Sequence, residues 1–123
     1  MAASWSVRED FRQLDQPAAA LLTVCTWALE HDSSQTPCLE DIYPVIKRAA
    51  TELHVLVDEE GFHGQACDLW ETYCGVFVYT NAAIAKALEA ASGCAAEADD
   101  EAMAQEWSMA AENMRRAIID LFN

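Results

Sequence analysis

Few residues in this chain have types and spacing suited to chemistry. Carboxylate-bridged metal centres in helical proteins use a Glu-x-x-His pair from each of two helices and a further Glu from two others. Glu60-Gly61-Phe62-His63 has that spacing, but it stands alone and its glycine weakens a helix there. His31 and His54 have no glutamate at the needed offset. His63, Cys67, Glu71 and Cys74 follow one another at steps of four, four and three, which would gather them on one face of a helix. A closed tetrahedral zinc site is seldom supplied by a single helix. There is no Gly-x-Ser-x-Gly nucleophile turn and no phosphate-cradling glycine loop. Pairing Cys25 or Cys74 with His54 has no local signature behind it. The expectation is a non-enzymatic chain with no catalytic residue, no metal and no cofactor.

The carboxylates are more informative. Between Ala49 and Met114 the only Lys or Arg is Lys86, against thirteen Asp and Glu. Two clusters stand out, and helix electrostatics separates them. Glu97, Asp99, Asp100 and Glu101 open the last expected helix, where the positive end of the dipole favours each by about 0.3–1 kcal/mol. Asp58-Glu59-Glu60 instead closes a helix, where the carbonyl ends already carry negative potential. A local rule broken without visible compensation marks a place to look for function. Asp58, Glu59, Glu60, Asp99, Asp100 and Glu101 are therefore the expected partner-binding residues, with the two clusters at opposite ends of the molecule.

The whole chain agrees with this emphasis. Its 123 residues fit one domain, 1–123, and a hydrophobic fraction of 53% is enough for a packed core. Twenty-one acids face seven bases, for a net charge of −14. Direct binding of nucleic acid, which needs Lys and Arg to neutralise phosphates, is disfavoured, as is an anionic membrane surface. A basic protein surface is the partner the charge suits. In composition the chain resembles bacterial immunity proteins and phage-encoded inhibitors that imitate nucleic acid, which implies an inhibitor that blocks a basic surface. The five cysteines are odd in number and contain no Cys-x-x-Cys pair, so they read as buried free thiols. Met1–Trp5 shows no basic start leading into an apolar stretch, so the cytoplasm is the expected address.

The elements expected to carry these residues are helices. Ser6-Val7-Arg8-Glu9 has the form of a capping box and opens a short helix to about Leu14, with Val7, Phe11 and Leu14 on one face. Pro17 suits the first turn of a second helix, to about Glu30, with Ala18, Leu21, Leu22, Cys25 and Leu29 inward. Thr36-Pro37 starts a third, with Thr36 as candidate cap. Its stripe runs from Leu39 to Val57, and Pro44 is expected to kink it or to delay its start to about Asp41. The longest pattern, from about His63 to Ala91, predicts one helix broken at Ser92-Gly93, although Val76–Thr80 favours strand by type. A last helix over about 96–121 points Met103, Trp107, Ala110, Met114, Ile118 and Leu121 inward. Short connections predict an all-α fold: an antiparallel up-down bundle of four main helices plus the short N-terminal one. Leu69 to Tyr79 would be apolar around the whole helix, which calls for burial on every side. Trp70, Phe77, Val78 and Tyr79 are accordingly the expected interface of a homodimer, and a structural or adaptor protein acting through that interface is the alternative to the inhibitor.

Overall fold

The computed structural model describes residues 15–30, 38–62, 66–67, 74–75 and 78–122. Four helices dominate: α1 (Asp15–Glu30), α2 (Leu39–Val55), α3 (Val78–Glu97) and α4 (Glu101–Leu121). Between α2 and α3 lie two short strands, β1 (Ala66–Cys67) and β2 (Cys74–Gly75). They pair antiparallel, with Ala66 opposite Gly75 and Cys67 opposite Cys74. No helix among the described residues is long and apolar enough to cross a membrane. The short helix expected over 6–14 and the cap expected at Thr36 lie outside the described residues.

The core is built around α3. Its buried residues form two adjoining stripes at helical spacing, Thr80, Ile84, Ala87, Ala91 and Cys94 on one and Asn81, Ala85, Leu88 and Ala95 on the other. Most are small, so neighbouring backbones approach closely, and α3 packs against each of the other three helices. On the first stripe, the Cys94 thiol reaches the carbonyl of Cys25 in α1 at 3.6 Å. On the face of the second, Ser92 Oγ donates to the carbonyl of Ala104 in α4 at 2.7 Å. These contacts carry α3 through Ser92-Gly93, where a break is predicted from the residue types. The chain turns only at Asp99, in the left-handed region with φ 61°.

The other helices match their patterns more closely. In α1 the buried positions Ala18, Leu21, Cys25 and Ala28 repeat at three and four residues, while Leu29 is left exposed. In α2 Ile46, Ala50 and Leu53 are buried, and the helix runs continuously from Leu39 with Pro44 inside it. Its start is held by Asp41, whose carboxylate accepts from the backbone amide of Cys38 at 3.0 Å and from its thiol at 3.4 Å. Satisfying a free amide at the first turn makes Leu39 rather than Asp41 the first helical residue. In α4 Trp107 and Met114 are fully buried as the pattern predicts, but Leu121 is exposed. Ala104, Ala111 and Ala117 are buried beside them, because small side chains sit where α4 comes closest to its neighbours.

One expected element is corrected outright. A single helix from His63 to Ala91 is not formed: Cys74–Gly75 is paired as strand and the helix begins at Val78. The residue types do not account for it: the paired strands hold Ala66, Cys67, Cys74 and Gly75, while the strand-favouring Val78, Tyr79 and Thr80 lie inside α3. The shared helix face proposed for His63, Cys67, Glu71 and Cys74 goes with it.

Gly61 shows how tightly the connection after α2 is held. Its φ is +93°, and a Cβ there would lie 2.7 Å from the Asn113 carbonyl of α4. Gly61→Ala is therefore expected to lower stability by roughly 1–3 kcal/mol, through both backbone strain and the clash. Urea denaturation with an unchanged midpoint would contradict this reading of the connection.

Candidate functional site

The acidic segment that follows α2 is an ordered loop. Asp58 accepts from the amides of Glu60 at 3.0 Å and Phe62 at 2.9 Å through Oδ1. Its own amide donates to the Phe62 carbonyl at 2.8 Å, and Gly61 N–H donates back to the Asp58 carbonyl at 3.1 Å. The charge opposed by the end of α2 is thus compensated by amides arranged around it, and Asp58 serves the loop itself. Two asparagines fasten this loop to the helices. Buried Asn81 Nδ2 of α3 donates to the Gly61 carbonyl at 3.0 Å, and Asn113 Nδ2 of α4 donates to the Glu59 carbonyl at 3.4 Å. Glu59 and Glu60 are left exposed on a backbone anchored from beneath.

Beside the loop lies an open groove of about 530 Å³, lined by His54 of α2 and by Glu106, Met109, Glu112, Asn113 and Arg116 of α4. Asn113 belongs to both features, so loop and groove adjoin. Met109 is 70% exposed at the groove. Basic groups nearby are already engaged: Arg116 Nε stands 3.7 Å and Arg115 3.8 Å from Glu112, and Arg115 also pairs with Glu89. Glu106 on the wall, and Glu59 and Glu60 in the adjoining loop, take no part in those pairs.

The second acidic cluster is built differently. Asp100 caps α4 by accepting from the Met103 amide at 3.4 Å. It also accepts from the Tyr43 hydroxyl at 2.7 Å and pairs with Lys47 at 3.1 Å. Tyr43, then Lys47, hold this carboxyl below the usual carboxylate range, against a partial cost of burial. Burial, then the hydrogen bond to Asp100, raises the Tyr43 phenol above its ordinary value. Asp100 is therefore a joint between α2 and the turn into α4. Asp99 and Glu101 are exposed on either side of it. Asn81 and Glu97, near the two ends of α3, lie about 24 Å apart along the helix axis, and each end carries one cluster.

Other residues of interest are placed as follows. Val78 and Tyr79 open α3 and are 40% and 69% exposed; Trp70 and Phe77 lie outside the described residues. No group of three His, Cys, Asp or Glu side chains able to hold a metal occurs among the described residues. Cys25 and Cys94 are fully buried against each other, and the hydrogen bond with Cys94, then burial, pushes the Cys25 thiol well above the ordinary range. It stays protonated and packs as a small hydrophobe. Sequence reasoning passed over Tyr43, Asn81 and Asn113, which position both clusters. Asn81, a polar residue in the buried stripe of α3, was the one visible signal. The chain matches no family model, no curated protein and no solved structure.

A carboxyl whose pKa is lowered on folding contributes stability that is present above its unfolded pKa and lost as the pH falls through the folded value. Asp100 and Asp41 both move downward, Asp41 chiefly through the Cys38 amide. Stability should fall below about pH 4, and Asp100→Asn should remove part of that fall. The destabilisation by Asp100→Asn should be larger at pH 7 than at pH 3; equal values in denaturation curves at the two pH values would contradict the joint.

Proposed function

We propose that this chain is a non-enzymatic acidic protein-binding module that blocks a basic, nucleic-acid-binding surface of a partner protein, in the manner of an inhibitor or immunity protein. The observation that carries the reading is the anchored loop that exposes Glu59 and Glu60 beside the groove containing Glu106 and Met109. Carboxylates on a fixed backbone lose little freedom on binding, and an exposed methionine in a groove accepts an apolar side chain. A basic surface with one apolar residue among its cations fits both features. Of the six acids singled out from sequence, Glu59, Glu60, Asp99 and Glu101 suit partner contact, while Asp58 and Asp100 support the others. Direct contact with nucleic acid or membrane is disfavoured by the net charge of −14, and the cytoplasm is the proposed address. The four helices are proposed to form an antiparallel up-down bundle completed by a short helix from residues 6–14.

A homodimer is kept as the second reading because Val78 and Tyr79 are exposed in the first turn of α3. That contact would be insensitive to salt and would be lost on Val78→Glu, whereas the acidic reading depends on salt.

The test is capture of a partner from the native host at low salt, followed by titration of the purified pair. Glu59→Lys with Glu60→Lys should weaken binding at least about ten-fold, with most of the loss in the association rate, and wild-type affinity should fall steeply as salt rises. Binding unchanged by the double charge reversal and by salt would contradict the proposal.

A further inference from the structure

Two thiols in the core take no part in the acidic surface. Cys25 of α1 and Cys94 of α3 are both fully buried and lie 69 residues apart in sequence. The Cys94 sulfur stands 3.6 Å from the carbonyl oxygen of Cys25, and the two side chains are within hydrogen-bonding reach of each other. Ala28, Ala91 and Ala95 are buried on the same two helices, and side chains this small let the backbones come close. A disulfide requires such an approach, with Cα atoms about 4.4–6.8 Å apart. The seam that holds the pair also reaches solvent nearby. A Cβ on Gly93 would meet the Leu29 side chain at 3.5 Å, and Leu29 is 44% exposed. Leu29 lies one turn along α1 from Cys25, or about 5.4 Å.

We infer that Cys25 and Cys94 are a redox pair, which hydrogen peroxide converts into a disulfide that staples α1 to α3. The resting Cys94 thiol donates to the Cys25 carbonyl. Once Cys94 is ionised, the Cys25 thiol donates to it. That bond moves Cys94 below the ordinary thiol range, against burial and the charge of Glu97, while Cys25 keeps its proton. Cys94 is therefore the sulfur that attacks. Its thiolate takes one oxygen of the peroxide: an S–O bond forms, the O–O bond breaks, and the departing hydroxide becomes water with the proton Cys94 released. The Cys25 sulfur then attacks the sulfenic sulfur. The S–S bond forms, the S–O bond breaks, and the second hydroxide leaves as water with the Cys25 proton. Two thiols lose two electrons and two protons, and one peroxide becomes two waters. Closing so long a loop restricts the unfolded chain strongly, so the oxidised protein resists denaturation. The inference is independent of the acidic contact surface.

The test treats the folded, reduced full chain with hydrogen peroxide and digests it with trypsin in the absence of reductant. Cys94 is the one cysteine of 87–115, and Cys25 shares 13–47 with Cys38, so Cys38→Ser makes the assignment unique. The expected product joins 13–47 to 87–115, has lost two hydrogens and comes apart on reduction, and before digestion it runs as a monomer. Its yield should be at least about ten-fold that from chain unfolded in urea, because the fold holds the two sulfurs together. The urea midpoint of the oxidised protein should rise and return on reduction, and peroxide should not raise it in Cys25→Ala or Cys94→Ala. Both thiols still open to alkylation after peroxide treatment and unfolding would overturn the inference. So would a link formed equally well in the unfolded chain, or one that joins two chains.

Discussion

Close packing of small side chains along α3 is the constraint on which the rest of this fold depends. Alanine at positions 85, 87, 91 and 95, with Cys94, makes most of the buried face of α3 small, between the larger Ile84 and Leu88. Interiors at this density tolerate little added volume. The same closeness brings polar groups of α3 within reach of other elements. Ser92 meets the Ala104 carbonyl, Cys94 meets that of Cys25, and Asn81 meets that of Gly61. The position of the acidic loop is thus inherited from the core through one buried asparagine.

This arrangement sorts the carboxylates into two kinds. Asp41, Asp58 and Asp100 accept hydrogen bonds from backbone amides and organise a helix start, a loop and a joint between helices. Glu59, Glu60, Asp99 and Glu101 border those groups and remain exposed. Short aspartates hold the backbone, and the longer or outer carboxylates project the charge. A surface of this kind keeps its field fixed relative to the scaffold, which is the property a charge-steered contact requires.

Much of the scaffold was legible in the residue pattern because it follows from local periodicity. The stripe Ala18, Leu21 and Cys25 located α1, and Trp107 and Met114 located the buried face of α4. The long helix from His63 was misread because its apolar residues keep a helical period across Cys74–Gly75, which is paired as strand. Cross-strand pairing of Cys67 with Cys74 is a choice that one strand alone does not reveal. Ser92-Gly93 looked like a break by type, yet the Ser92 bond to α4 sustains the helix there. At the site, the broken charge rule at Asp58 correctly marked a special place, but its compensation lay in the loop's own amides. The Tyr43–Asp100 contact joins residues 57 apart in sequence, and no local pattern announces it. Which acids face a partner and which hold the fold therefore became visible only with the helices in place.

The most direct measurement of the central packing claim compares two alanines of α3, Ala91, which is fully buried, and Ala82, which is exposed. Chemical denaturation should show Ala91→Leu destabilised by about 1–3 kcal/mol through overpacking, with Ala82→Leu within about 0.5 kcal/mol of the wild type. Equal stability of the two variants would contradict a fold organised by the close approach of its neighbours to α3.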